Sequence, residues 1–138
     1  MIQVVIDTNV IVAAMRSKYG QSNRLLRHLS DPRWQINISA ALIFEYEEVL
    51  AKQAAAGAFS LRIAEILVDR FCAIGHWNAI YFRWRPTLTD DDDHFLVELA
   101  FRCHCKYLIT FNQRDLSPAR DLGIQVVTPR EFLVIMGL

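Results

Sequence analysis

Along this chain the apolar positions switch repeatedly between the period of a strand and the period of a helix. Gln3 to Ile6 is a short β-rich run, apolar on both faces, as a strand in the middle of a parallel sheet is. Asp7 ends it, and Asn9 to Met15 reads as a short apolar helix broken at Lys18-Tyr19-Gly20. Gln21 to Leu29 then sets Leu25, Leu26 and Leu29 on one helical face, with Arg24 and Arg27 away from it, before Asp31-Pro32 forces a turn. Gln35 to Ile38 predicts a second strand. Ser39 is placed to cap a helix over Ala40 to Gln53, where Leu42, Tyr46, Val49 and Leu50 recur at helical spacing. Ser60 is expected to cap another, running to about Ile74 and carrying Leu61, Ala64, Leu67, Val68 and Phe71 inward. Trp77 to Phe82 reads as a third strand. Asp92 to Arg102 is a helix whose first turn is crowded with acids, where the helix dipole favours them. Tyr107 to Thr110 predicts a fourth strand, Pro118 to Leu122 a short helical turn closed by Gly123, and Gln125 to Val127 a fifth strand. Thr128-Pro129-Arg130-Glu131 has the cap, the Pro and the Glu of a capping box, so a last helix starts there.

Strand and helix alternate throughout, with no repeat, low-complexity segment or linker. That order predicts an α/β fold: a three-layer α/β/α sandwich around a central parallel sheet of about five strands, forming one domain over residues 1–138. The chain is 53% hydrophobic, enough to fill a core without disulfides or a structural metal. Its formal net charge of zero argues against coating nucleic acid by bulk electrostatics, and leaves local contact with a phosphate backbone open. Cys72, Cys103 and Cys105 are an odd set that suits a reducing compartment better than a disulfide scaffold. A zinc site at Cys103-His104-Cys105 would need a second ligand pair, which the sequence does not offer. Met1 leads straight into a strand without a signal-peptide pattern, and no apolar run approaches the ~20 residues that span a bilayer. The expectation is a soluble, cytoplasmic protein with no membrane attachment.

The acids carry the chemistry. In an open parallel sheet ligands bind at the carboxyl ends of the strands. Asp7 ends strand one, Asp90 and Asp93 lie between strand three and the next helix, and Asn112 and Asp115 follow strand four. Parallel strands bring these loops to one edge. Glu45 lies inside a helix after strand two, near enough to its start to lean toward the same edge, and its apolar neighbours make an unpaired acid there costly. Taken singly, each acid has an ordinary role as a turn former, helix cap or ion-pair partner. Together they would repel one another unless a divalent ion neutralised them, and hard oxygen ligands select Mg²⁺, Mn²⁺ or Ca²⁺ over zinc. Such an ion lowers the pKa of a bound water and offsets charge on a phosphodiester, which points to hydrolysis without a covalent enzyme intermediate.

These residues resemble a known family. Val5-Ile6-Asp7-Thr8-Asn9-Val10 is similar to the opening motif of PIN-domain nucleases, and Glu45 sits where that family's second acid lies. Asp90-Asp91-Asp92-Asp93-His94-Phe95-Leu96, running into Leu99-Ala100, is similar to its third acidic motif, and Tyr107 to Leu116 to its fourth. The tail from Gly123 to Leu133 resembles the end of the bacterial subgroup that supplies the toxins of toxin–antitoxin pairs, the VapC-like PIN proteins. The resemblance implies a Mg²⁺- or Mn²⁺-dependent endoribonuclease, held inactive by a cognate antitoxin and commonly a homodimer. It implies Asp7, Glu45, Asp93 and Asp115 as the catalytic and metal-holding quartet. Asn9 matches a polar position supporting the first Asp, Thr110 a hydroxyl near the fourth acid, and Asp90 a second acid at the start of its loop. Many members carry an Asp where this chain has Asn112, so the fourth role falls to Asp115.

Arg83 and Arg85, separated by Trp84, are candidate RNA contacts, because alternating Arg and aromatic residues can pair phosphates and stack bases. Arg114, flanked by site residues, is a third candidate. The aromatic group Tyr81, Phe82 and Trp84 suits a dimer contact as well. Two rival functions remain. A catalytically inactive PIN scaffold that binds RNA or a protein partner is suggested by Asn112. A receiver-like domain that accepts phosphate would need an acidic pair after strand one and a Lys after strand five, where this chain has Asp7 alone and Thr128-Pro129-Arg130.

Overall fold

The computed structural model describes residues 1–79 and 91–138, and of residues 91–94 it describes the helix alone. The chain alternates as its pattern predicts. Strand β1 (Ile2–Ile6) leads into α1 (Thr8–Arg16) and α2 (Gln21–Arg27), then β2 (Trp34–Ile38), α3 (Ala40–Ala55) and α4 (Leu61–Ile74). A short β3 (His76–Trp77) follows, then α5 (Asp91–Arg102), β4 (Tyr107–Ile109), a 3₁₀ turn over Ser117–Leu122, β5 (Gln125–Val127) and α6 (Pro129–Met136).

The strands form one sheet in the order β3-β2-β1-β4-β5, every pairing parallel, with helices on both faces as a three-layer sandwich requires. β1 is central, and its consecutive residues Val4, Val5 and Ile6 are all buried, so both faces of the sheet are covered there. From β1 the chain steps outward through β2 to β3, then crosses back to β4 and β5 on the other side. The order therefore reverses between β1 and β4, the switch point where open α/β sheets leave a crevice at their carboxyl ends.

Several local signals act as expected. The Ser39 side chain accepts from Leu42 N–H at the start of α3, and Thr128 and Glu131 close the reciprocal capping box of α6. Gly123 takes φ +82° after the 3₁₀ turn, a left-handed conformation that costs other residues more. His104 takes φ +54° between α5 and β4, while Cys105 N–H reaches back to the Ala100 carbonyl and closes the helix end.

Other expectations need correction. Ser60 precedes α4 without a side-chain capping bond, and Leu61 is exposed. The buried stripe of α4 is Ala64, Val68 and Phe71; Leu61, in the first turn, lies at the groove between α3 and α4 instead of under it. β3 is limited to His76–Trp77: Asn78 and Ala79, expected to continue it, are not strand, and the rest of the expected run, residues 80–82, lies outside the described residues. Among the described residues no helix is long and apolar enough to cross a membrane.

Candidate active site

The carboxyl ends of β1 and β4 hold a connected set of polar side chains. Asp7 follows the last residue of β1, and its backbone N–H continues the sheet ladder by bonding the Ile109 carbonyl at 2.9 Å. It occupies the position before α1 with extended dihedrals, yet its carboxylate does not cap that helix. The carboxylate turns to the neighbouring strand end, where the Thr110 hydroxyl donates to Asp7 Oδ2 at 2.7 Å.

Thr110 is fully buried and its oxygen is saturated. It donates once to Asp7 and accepts from the Asn112 backbone N–H at 2.9 Å and from Asn9 Nδ2 at 3.4 Å. One hydroxyl proton and two lone pairs are thus all in use. Asn9 closes the loop from the other side, its Oδ1 accepting from Phe111 N–H at 3.3 Å. Asn9 therefore supports Asp7 through Thr110. The Thr110 hydroxyl, which the resemblance implied near the fourth acid, bonds the first.

Glu45 reaches the same edge from the second turn of α3. The buried Thr8 hydroxyl donates to its Oε2. The next residue, Tyr46, is buried and donates its hydroxyl to the carbonyl of Ile6, the residue before Asp7. Two side-chain bonds between adjacent pairs, Thr8 to Glu45 and Tyr46 to Ile6, therefore tie α3 to the end of β1. Both hydroxyl residues follow directly after a candidate acid in the chain. That adjacency was the available signal, but Thr8 reads as part of a short motif and Tyr46 as a core residue at helical spacing.

Burial dominates the electrostatics at Asp7. Burial pushes the Asp7 carboxyl above its ordinary value, more than the Thr110 hydroxyl and the Thr8 backbone N–H pull it down. Among the described residues no Lys, Arg or His forms an ion pair with Asp7. Tyr46 is pushed well above its ordinary value by burial, and further by the negative fields of Asp7 and Glu45, so it stays a neutral donor.

The remaining expected site residues fall elsewhere. Asp115 is exposed in the loop after β4 and makes no hydrogen bond or ion pair among the described residues. Asn112 contributes its backbone N–H to Thr110, and Arg114 is exposed. Asp93 lies in the first turn of α5, whose N-terminal side chains are outside the described residues, as are Asp90, Arg83 and Arg85 entirely. Deeper in α5, Glu98 is a buried acid that the sequence reading did not single out; Arg102 Nε donates to it at 3.0 Å.

Among the described residues no three His, Cys, Asp or Glu side chains gather as a metal site. The donors that do meet here are oxygens: the carboxylates of Asp7 and Glu45, with neutral hydroxyl and amide groups behind them. Asp7, desolvated and without a cationic partner among the described residues, is an oxygen donor that fits a hard divalent cation and not a soft one.

Comparison with known proteins bears on the family and the fold. Residues 3–114 match the PIN domain family. No curated protein matches the chain in sequence. In structure it is similar to a chain of VapBC2 from Rickettsia felis, solved bound to a DNA fragment from their promoter. That likeness has a TM-score of 0.61 at 15% identity and covers 91% of this chain and 97% of that one, so it is a likeness of fold. The family match takes in Asp7, Glu45 and Thr110 and stops one residue short of Asp115. On a match of this extent the protein belongs to the PIN domain family.

Proposed function

We propose that this protein is a cytoplasmic, Mg²⁺- or Mn²⁺-dependent endoribonuclease, the VapC-like toxin of a toxin–antitoxin pair. It works as a homodimer and is restrained by a cognate antitoxin protein. The observation that carries the reading is the desolvated Asp7 carboxylate, without an ion-pair partner among the described residues and held by Thr110 at the switch point of the sheet, with Glu45 tied alongside through Thr8. The PIN domain match supports the nuclease class, and the fold shared with a chain of VapBC2 supports the toxin–antitoxin setting.

Asp7, Glu45 and Asp93 would hold the cation, with Asp115 and Asp90 completing the acidic edge. When bound, the cation supplies charge neutralisation at the scissile phosphate and a lowered pKa for the attacking water. The chain's own part is orientation. Thr110, fixed by Asn9 and Asn112, aims Asp7, while Thr8 and Tyr46 set the position of Glu45 relative to it. Such supporting contacts typically carry about 10–100-fold in metal affinity or activity. Arg83, Arg85 and Arg114 are the proposed phosphate contacts.

The exposure of Asp115 and the Asn at position 112 favour a second reading, an inactive scaffold that binds RNA or a partner without cutting. One experiment separates the two. Purified, antitoxin-free protein is incubated with a mixed RNA pool and Mg²⁺ or Mn²⁺, with EDTA, Asp7→Asn and Asp93→Asn as controls. Cleavage lost in all three controls is expected. Folded protein that cuts in neither metal would overturn the ribonuclease reading in favour of the scaffold.

A further inference from the structure

Cys103, His104 and Cys105 join α5 to β4, and the proposed cleavage chemistry uses neither thiol. The joint is tight. His104 takes φ +54°, a left-handed conformation uncommon for residues with a side chain, so the chain reverses between the two cysteines. Cys103 N–H bonds the Leu99 carbonyl at 3.0 Å, and Cys105 N–H the Ala100 carbonyl at 2.9 Å. Lys106, next along, donates to the Gln3 carbonyl and accepts from the Gln125 N–H, both at 2.9 Å, which fixes the base of the turn between β1 and β5. Cα atoms two residues apart are separated by no more than about 7 Å, and a disulfide spans about 4.4–6.8 Å. Inside this frame the two thiols meet, the Cys105 S–H donating to the Cys103 sulfur. Their surroundings differ: Cys105 is buried, whereas Cys103 is partly exposed at the margin of the core. The shared hydrogen bond holds the Cys103 thiol below its ordinary value against the opposing effect of burial. The same bond, then burial and the charge on Cys103, push Cys105 far above its own. Free cysteines ordinarily serve as small apolar side chains, and Cys72, pushed up by burial and by Glu47 and Asp69, fits that role. A partly exposed thiol made acidic by a second thiol behind it is a more specific arrangement, an attacking sulfur in contact with a resolving one.

We propose that Cys103 and Cys105 form a dithiol site that exchanges with low-molecular-weight disulfides, Cys103 attacking and Cys105 resolving. The Cys103 thiolate attacks one sulfur of the small disulfide. That S–S bond breaks, a mixed disulfide forms on Cys103, and the first small thiolate leaves and takes up the proton Cys103 gave to water. Cys105 then loses its proton and attacks the Cys103 sulfur, and the second small thiolate leaves and takes up that proton. Two protein thiols become one disulfide, and the small disulfide, accepting their two electrons, becomes two thiols. Capping Cys103 removes its charge and its role as acceptor, two of the three causes that hold Cys105 protonated, so the first step prepares the second. The closed ring spans three residues, too few for the entropic gain of a structural crosslink, so excess small thiol reverses it. The turn opens β4 at its amino end, whereas Asp7 and Thr110 meet at the carboxyl ends, so the dithiol site does not depend on the ribonuclease reading.

The test is mass spectrometry of the full chain after treatment with excess oxidised glutathione at neutral pH and alkylation of the remaining thiols. Trypsin cuts after Arg102 and Lys106, so it releases both cysteines in one peptide, separate from Cys72. In wild type that peptide is expected to have lost two hydrogens and to carry no glutathione. Cys105→Ala and Cys105→Ser should both stop at a stable glutathione adduct on Cys103, and Cys103→Ser should leave Cys105 unmodified. Before any oxidation, brief iodoacetamide treatment should label Cys103 about ten-fold faster than Cys72 in the folded wild type. Cys105→Ala, which lacks a donor, should lose that lead, whereas Cys105→Ser, which keeps a donor but no sulfur, should retain most of it. A glutathione adduct persisting on wild-type Cys103, an unmodified Cys103–Lys106 peptide, or Cys72 labelled as fast as Cys103 would overturn the dithiol site. The last two outcomes are read on the wild-type chain, so they decide the matter even where a variant does not fold.

Discussion

The Thr110 hydroxyl donates to Asp7 Oδ2 at 2.7 Å, joining residues 103 positions apart at the ends of neighbouring parallel strands. Because Thr110 also receives the Asn112 N–H and the Asn9 amide, it is the hub of the site. Thr110→Val keeps the shape and removes the hub. It should reduce cleavage about 10–100-fold and weaken Mn²⁺ binding measured by titration calorimetry, whereas Thr110→Ser retains most of both. Leaving buried groups without partners should also cost about 1–3 kcal/mol in denaturant unfolding.

Tyr46 tests whether α3 must be tied to β1 at this point. Its ring packs edge-on against Phe71 with centroids 5.4 Å apart, and Tyr46→Phe preserves that contact. What it removes is the hydroxyl that satisfies the Ile6 carbonyl. A folded variant, less stable by about 1–3 kcal/mol, is expected. Its Mn²⁺ affinity should fall along with its activity; unchanged affinity would restrict Tyr46 to a packing role.

Asp7 should be a site where function costs stability. Burial holds its folded-state pKa above the unfolded value of 3.8, so the native chain binds the proton more tightly. This contribution favours folding at low pH and is lost as pH rises from 3.8 through the raised folded value. In EDTA at neutral pH, Asp7→Asn should therefore melt at a higher temperature than wild type, while its cleavage activity should be lost. Adding Mn²⁺ should raise the melting temperature of the wild type and leave the variant where it was.

Asp115 stands in water beyond the hydrogen-bonded cluster, and its removal should matter less than that of Asp7. Asp115→Asn is expected to leave thermal stability unchanged and to reduce kcat by no more than about ten-fold, well short of the loss in Asp7→Asn. Equal losses from the two substitutions would put Asp115 on the cation.

Gly75 marks a close approach at the other side of the sheet. A Cβ there would lie 2.6 Å from the Phe71 carbonyl oxygen and 2.9 Å from Ile38 Cδ1. Gly75→Ala should destabilise by about 1–3 kcal/mol in chemical denaturation, since backbone and a core side chain must both move. Cleavage by the folded fraction should be unaffected.

How far the sequence reaches follows from the range of the forces involved. Local patterns determined the alternation of elements, the Gln125–Val127 strand and the Thr128–Glu131 capping box, because backbone bonding and side-chain period act over a few residues. Asp7 and Glu45 were visible as candidates because strand ends and helix starts place them at one edge once the strands are parallel, whereas Asn9 and Thr110 were candidates only through the family resemblance. The order β3-β2-β1-β4-β5, and with it the pairing of Asp7 with Thr110, came only with the assembled sheet. So did the ties from Thr8 and Tyr46, which span 37 and 40 residues. The outward turn of Leu61 and the exposure of Asp115 depend on which surfaces neighbouring elements cover. Desolvation and long-range hydrogen bonds are properties of groups brought together by packing, and no window of sequence contains both partners.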